Sequence, residues 1–467
     1  MNTQAASRAN PLGTEKIGKL ILKYSVPAII SMVVNALYNI VDQIVIGQGV
    51  GMLGNAATNV AFPLTTISTA LALLIGIGSA SNFNLRQGEG KSEEAMHFAG
   101  GGYLLSITLG AILGLVAFIF LDPMLLAFGA TENVMPYAQP YTAIICLGLP
   151  FMVFATVASH LIRADGSPKY AMGCVLAGAI FNVVFDPIFM FVFDMGIEGV
   201  AWATTFGQIL SSAIAFAYLF RYKNASFKKE HFRLKGRLIK STFALGSAAC
   251  FNQLAITVVQ IALNNVLTYY GAMSIYGSDI PLAAVGVLSK VNILYISIVI
   301  GVAQGCQPIN GYNYGAKNFA RVKQTYKTAA IAVLTIGVIS FILFQIFPRQ
   351  ITAIFGTGSE EYFRFAERYF RIFMFATFIN GIQPLTANFF TSIGKAHKGI
   401  FISLTRQILF LLPLVLILPI FLGIDGVMYS GPIADGIASV VAILFIYREM
   451  KEMTRLQQAL GNPPAPA

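Results

Sequence analysis

Residues 25–47, SVPAIISMVVNALYNIVDQIVIG, form an apolar run long enough to cross a bilayer. A run of about 20 apolar residues matches the hydrocarbon thickness. Pro27 stands near its start and Asp42 in its last third. A carboxylate costs on the order of 2.5–3.5 kcal/mol at the centre of such a helix, and less near an end. Asp42 is therefore either a group on an ion or substrate pathway or half of a structural pair.

Apolar runs recur along the chain at about 20–46, 56–80, 99–121, 136–160, 170–193, 198–220, 241–267, 281–306, 328–347, 370–392, 399–422 and 427–447. Only 11% of the 467 residues are charged, against about 25% in an average soluble domain. The expected fold class is an all-α integral membrane protein of twelve transmembrane helices, numbered here as spans one to twelve. The net charge of +11 lies in loops between runs and not on one face. It is read as setting topology, which excludes nucleic acid as a partner.

The basic residues fix an expected orientation. Arg8, Lys16, Lys19 and Lys23 precede or open span one, and alternate loops carry Arg86 and Lys91, Arg163 and Lys169, the run Arg221 to Lys240, Lys317 to Lys327, and Lys395 with Lys398. Most of the opposite loops carry none; the 348–369 connection, with Arg349, Arg364 and Arg368, is the exception. By the positive-inside rule both termini are cytoplasmic, and the expected location is a bacterial plasma (inner) membrane. The division expected is an N-terminal arm at 1–19, a first lobe at 20–220, a basic linker at 221–240, a second lobe at 241–447 and a tail at 448–467. The linker reads as a solvated loop, and the closing GNPPAPA as disordered. No cleavable signal peptide is apparent, because the first 16 residues are polar and the first run is too long for an h-region.

The two halves resemble each other at a spacing of about 227 residues. MGIEGVAWA at 195–203 matches LGIDGVMYS at 422–430, Phe128-Gly129 matches Phe355-Gly356, Gly78 matches Gly305, and Gly88 matches Gly315. Each half holds an even number of spans, so both enter the membrane from the same side. That is a parallel repeat about an axis along the membrane normal. Two six-helix lobes facing one another enclose a V-shaped central cleft, and rocking exposes it to each side in turn. This favours a transporter over a membrane enzyme.

The buried polar groups are unequal between the lobes. Asp42 lies in span one, Asn182 and Asp186 in span five at i, i+4 spacing, and Thr204 with Thr205 in span six. Asp42, Asp186 and Thr204 fall at similar depth in the outer half. Two carboxylates, an amide oxygen and a hydroxyl make an all-oxygen set suited to a hard cation. Protonation is the other route to neutrality, since two neighbouring carboxylates resist joint ionisation. The bland alternative is that each acid caps or pairs with its own neighbour. In the second lobe Lys290 and Asp435 each lie about nine residues from an outer helix end, roughly 13 Å deep. Their matching depth predicts a structural ion pair. Arg406, two turns from the cytoplasmic end of span eleven, is expected to snorkel. Tyr38 and Tyr141 are candidate substrate-cleft residues, with lipid or core packing as the alternative, and Pro27 is a candidate hinge.

No GxSxG, HExxH or P-loop occurs, so no enzyme activity is expected. His97, His160, His231 and His397 all fall near cytoplasmic ends and make no transition-metal site. Cys146, Cys174, Cys250 and Cys306 read as packing residues. With no ATP-binding domain, an ion gradient is the expected energy source.

These residues carry a family resemblance. SVP…VDQIVIG in span one, IRADGSPK at 162–169, NVVFDPIF at 182–189, MGIEGVAWAT at 195–204 and QPINGYNYGAK at 307–317 resemble the MATE family of multidrug and toxic compound extrusion transporters, nearest the bacterial MepA-like exporters. The resemblance spans residues about 16–450. It implies antiport of organic cations and other amphipathic drugs against Na⁺ or H⁺ by alternating access, and a part in antibiotic resistance. No cofactor beyond the coupling ion is implied. Partners would be drug-like substrates and membrane lipids, with a monomer as the expected unit. Family members with a first-lobe ion site use positions that match Asp42, Asn182, Asp186 and Thr204 here. A second-lobe cation site is not expected, because span seven shows Asn264 and Asn265 and span eight shows Lys290. A lipid-linked precursor flippase of the same broad fold is the alternative. Such proteins use clustered cleft arginines, which this chain lacks at membrane depth.

Overall fold

The computed structural model describes residues 10–277, 279–355 and 359–461. Arg8, Gly356 of the repeat and the end of the tail lie outside the described residues. Among the described residues, eleven helices are long and apolar enough to cross a membrane. They are Ile17–Gly49, Leu53–Gly88, Ser92–Ile119, Met135–Ala164, Pro168–Val192, Gly196–Arg221, Gly236–Ala272, Ile280–Gly315, Phe319–Ile346, Ala396–Leu422 and Ile424–Ala459.

Span ten departs from the expected single helix. Its apolar run is broken into Glu360–Phe373, Thr377–Asn380 and Ile382–Ser392. Gly381 sits at the second break, and Pro384, which has no N–H to donate, follows it. A break at membrane depth survives only if the freed backbone groups find partners. Tyr295 from span eight supplies one, donating from its hydroxyl to the Thr377 carbonyl at 2.9 Å.

The apolar cores explain how the lobes are built. One contiguous core fills the second lobe and takes in Leu12, Ile17, Leu20, Ile21 and Tyr24 at the start of span one. The first lobe has two separate apolar cores. One, around Phe83, Met96, Tyr103 and Leu161, lies toward the end that holds the described parts of both termini. The other, around Ile46, Leu64, Leu125 and Leu149, lies toward the opposite end. The polar residues of spans one, five and six fall in the layer between them.

The lobes meet tightly at the end that carries the termini, through glycines of the repeat. A Cβ added at Gly78 of span two would lie 1.9 Å from the Thr242 carbonyl oxygen of span seven. One added at Gly305 of span eight would lie 2.4 Å from Ser25 Oγ of span one. Gly88 and Gly315 exchange places across the axis, with added Cβ atoms 2.0 Å from the Tyr312 oxygen and 2.2 Å from the Leu85 oxygen. The repeated glycines are therefore the closing surfaces of the seam. Polar bonds flank them: Arg163 Nη1 donates to Gln304 Oε1 at 2.8 Å, Gln307 Nε2 to Ser81 Oγ at 2.7 Å, and Ser241 Oγ to Asn82 Oδ1 at 2.8 Å.

The connection between the lobes is mostly exposed, as its charge suggested, but it is also pinned to the first lobe. Asp165 accepts from the Tyr218 hydroxyl and the backbone N–H of Lys223, both at 2.8 Å, and from the Asn224 side chain at 2.7 Å. Glu93 bonds Lys228 Nζ at 2.6 Å and His231 Nε2 at 2.7 Å. Phe227 packs among Tyr103, Tyr222 and Phe232. Charge density alone did not show this attachment, which comes from its aromatic residues and two acids elsewhere in the chain.

Candidate functional site

Span five places the central residues. Helix from Pro168 to Pro187 gives way to a wide π turn over Ile188–Val192. Pro187 lacks an N–H, so the ordinary hydrogen-bond ladder cannot continue through it, and such local widening recurs at functional sites. Asn182 and Asp186 lie one turn apart on the buried face just before it, with exposures of 3% and 0%.

Asn182 Nδ2 donates to Asp186 Oδ1 and to Thr204 Oγ1, both at 3.0 Å. The Asp42 carboxyl lies beside the Asp186 carboxyl, close enough for their charges to interact. Asp42, Asn182, Asp186 and Thr204 thus come together across spans one, five and six. Asp42 Oδ1, Asn182 Oδ1 and Asp186 Oδ2 are buried and have no partner. All three are acceptors with no donor among the described residues. Among the described residues, no Lys or Arg forms an ion pair with either carboxylate. The donor set fits a hard monovalent cation or a shared proton.

A cavity of about 110 Å³ adjoins this cluster, lined by Asn35, Tyr38, Asn182, Thr204 and Gln208 among others. A drug-sized ligand needs about 300–1,000 Å³, and a water about 30 Å³. The cavity therefore suits an ion with a few waters. Tyr38 lines it, and its position is one turn before Asp42. Tyr141 is only 7% exposed and sits in the first-lobe core. It lies near both carboxylates, so it packs at the polar layer inside the first lobe and not on the interlobe cavity. Trp202 in span six stacks on Phe206 with ring centroids 5.4 Å apart. Pro27 is buried inside the unbroken helix Ile17–Gly49, and its carbonyl accepts from Ser31 Oγ at 2.8 Å. It lies between Ser25 and Ile29, which touch Gly305 and Gly301 of span eight.

The expected pairing of Lys290 with Asp435 is wrong. Asp435 forms its ion pair with Arg406 Nε, and Asn380 Nδ2 donates to its other oxygen at 3.3 Å. Span eleven carries a π turn over Thr405–Leu411, which includes Arg406, and the guanidinium bonds inward instead of snorkelling. Depth alone does not reveal which face of a helix a residue occupies. Lys290 lines a separate cavity of about 400 Å³ between the lobes, beside Gln43, Asn55 and Asn59. The Arg406–Asp435 pair is nearly dry, with side-chain exposures of 16% and 3%. Asp435→Asn is expected to lower stability by about 3–5 kcal/mol by stranding the guanidinium. Adding Arg406→Met should recover most of that loss, read as thermal unfolding in detergent. A double variant no more stable than the single one would show that the pair is not the source.

Sequence reasoning missed Arg163. It is 5% exposed, holds Gln304 across the seam and donates to Ser159 Oγ at 3.2 Å. Its place at the end of an apolar run, before Asp165-Gly166, made it look like a topology charge.

The sequence pattern of the MatE family matches residues 27–188 and 248–417, both lobes and most of the chain. This chain belongs to the MatE family. Among similar proteins, the multidrug export protein MepA of Staphylococcus aureus (strain MRSA252) is 23% identical over 432 residues, 92% of this chain and 93% of the relative. Among solved structures, an outward-facing conformation of a multidrug resistance MATE family transporter of the MOP superfamily is similar with a TM-score of 0.89. It is 23% identical, with 96% of this chain and 99% of that one covered. A MOP superfamily transporter from Pyrococcus furiosus Vc1 (DSM3638), described as having a binding pocket of reversed polarity, gives a TM-score of 0.88 at 23% identity, over 95% and 98% of the two chains. The MatE fold is two six-helix lobes, and the chain is a multi-pass membrane transporter. The polar layer, the seam and the interlobe cavity all lie within this MatE architecture.

Proposed function

We propose that this protein is a multidrug exporter that antiports organic cations and other amphipathic compounds against Na⁺ or H⁺. The curated relatives it resembles are multidrug export proteins. The observation that carries the coupling reading is the trio of buried, unpartnered oxygens on Asp42, Asn182 and Asp186. Two facing carboxylates without a counter-charge demand a cation or proton. A transporter that alternates between two arrangements gives that demand a use, because the ion then favours one arrangement over the other.

The seam is closed at the end bearing the basic loops, while the 400 Å³ cavity lies toward the other end. With both termini cytoplasmic, this is the outward-open arrangement in a bacterial inner membrane. Span one connects the two parts of the machine: its first third packs in the second-lobe core, and its last third carries Asp42.

The test is efflux from proteoliposomes under separately imposed Na⁺ and proton gradients. One of the two is expected to drive export of a cationic dye. Asn182→Ala is expected to change the ion dependence more than the dye affinity, since the amide oxygen serves as a ligand and cannot titrate. Export driven by neither gradient, with scrambling of a lipid-linked sugar instead, would assign the chain to the flippase class.

A further inference from the structure

Lys290 is a cation on a membrane-spanning helix, and among the described residues it has no ion-pair partner within 4.0 Å. Asp435, the acid at matching depth, is occupied by Arg406 and Asn380. A lysine at this depth either pairs or faces water, and Lys290 faces the interlobe cavity. That cavity lies between span one, span two and span eight, so both lobes contribute to its wall. At about 400 Å³ it is the right size for a drug-like molecule.

The wall has two chemistries. Ile40 and Ile44 of span one present apolar surface, while Gln43, Asn55 and Asn59 present amides around the ammonium. An ammonium repels a wholly cationic guest, and amide N–H groups and a lysine together suit a carboxylate. We infer that Lys290 selects carboxylate-bearing amphiphiles: the carboxylate pairs with Lys290 among the cleft amides, and the apolar body lies on Ile40 and Ile44. This deepens the exporter reading and rests on it.

The probes are a xanthene dye carrying a free carboxylate and the methyl ester of the same dye, which is a pure cation. Binding to the full-length protein in detergent micelles is measured by equilibrium dialysis. The wild type is expected to prefer the carboxylate dye. Lys290→Met should weaken that dye about tenfold, the scale of one charge-assisted hydrogen bond, and should tighten the ester by removing repulsion. Lys290→Arg should keep the wild-type preference, and Lys290→Glu should reverse it. Size-exclusion profiles report whether each variant is folded, and the Arg variant tests the charge where Met disturbs the wall. If Lys290→Met moves both dyes in the same direction, or moves neither, the inference is overturned while the exporter reading stands. If the wild type binds the ester and not the carboxylate dye, the result is the same. If it binds neither dye, both readings fall.

Discussion

Asp42→Asn is expected to leave the protein folded and inserted and to abolish gradient-driven efflux. The amide keeps the shape of the carboxyl and can donate to Asp186, so the polar layer stays filled. The change removes one of the two facing negative charges. The remaining carboxylate then accepts a hydrogen bond from the introduced amide and no longer requires an ion. Coupling energies between sites are about 1–3 kcal/mol, or about 5–150-fold in affinity, and this variant forfeits that difference. Asp186→Asn should act alike, with a larger cost in stability because Asp186 is fully buried and also bonded to Asn182. The measurement is dye efflux from proteoliposomes under the driving gradient, beside dye exchange without a gradient. Unimpaired driven efflux and unchanged ion dependence in both variants would refute the site.

Gly78→Ala combined with Gly88→Ala is expected to shift the lobes away from the closed seam. Real Cβ atoms do not approach other atoms closer than 3.0 Å, yet the added methyls would sit 1.9 and 2.0 Å from backbone oxygens. Backbone has no alternative rotamer, so the helices must separate by about 1 Å or more. Overpacking of a tight contact costs about 1–3 kcal/mol per site. Two such costs approach the roughly 5.5 kcal/mol that turns a 99:1 population into 1:99. Spin labels on Lys169→Cys and His397→Cys report the separation; both positions are exposed, one in each lobe. The expected result is a longer and broader distance distribution, with loss of transport. An unchanged distribution would mean that the seam glycines do not hold the arrangement. Gly305, whose added Cβ would lie 2.4 Å from Ser25 Oγ, is the repeat counterpart of Gly78 and predicts the same behaviour.

The membrane class and most spans were legible because their physical signature is length and apolarity, which need no partner. Span ten was legible only as an apolar run. Its breaks depend on Tyr295 from another helix, which the local sequence does not reveal. The four polar residues of the first lobe were legible because depth and oxygen chemistry agreed. Lys290 and Asp435 agreed in depth as well, and that agreement misled. The π turn containing Arg406 decides the partner, and nothing in TRQILFL announces a widened turn. The seam glycines appeared in the sequence as a repeat spacing, but their role became visible only when each was seen against backbone from the other lobe.

The stack of Trp202 on Phe206 has a practical consequence. The chain contains a single tryptophan, and it lies two residues before Thr204, whose hydroxyl closes the polar layer. All indole emission from the protein therefore originates in span six near the polar layer, with no other indole to dilute it. The molecule carries its own optical gauge of that layer, and spectra recorded during ion titration read one defined place in the first lobe without any label.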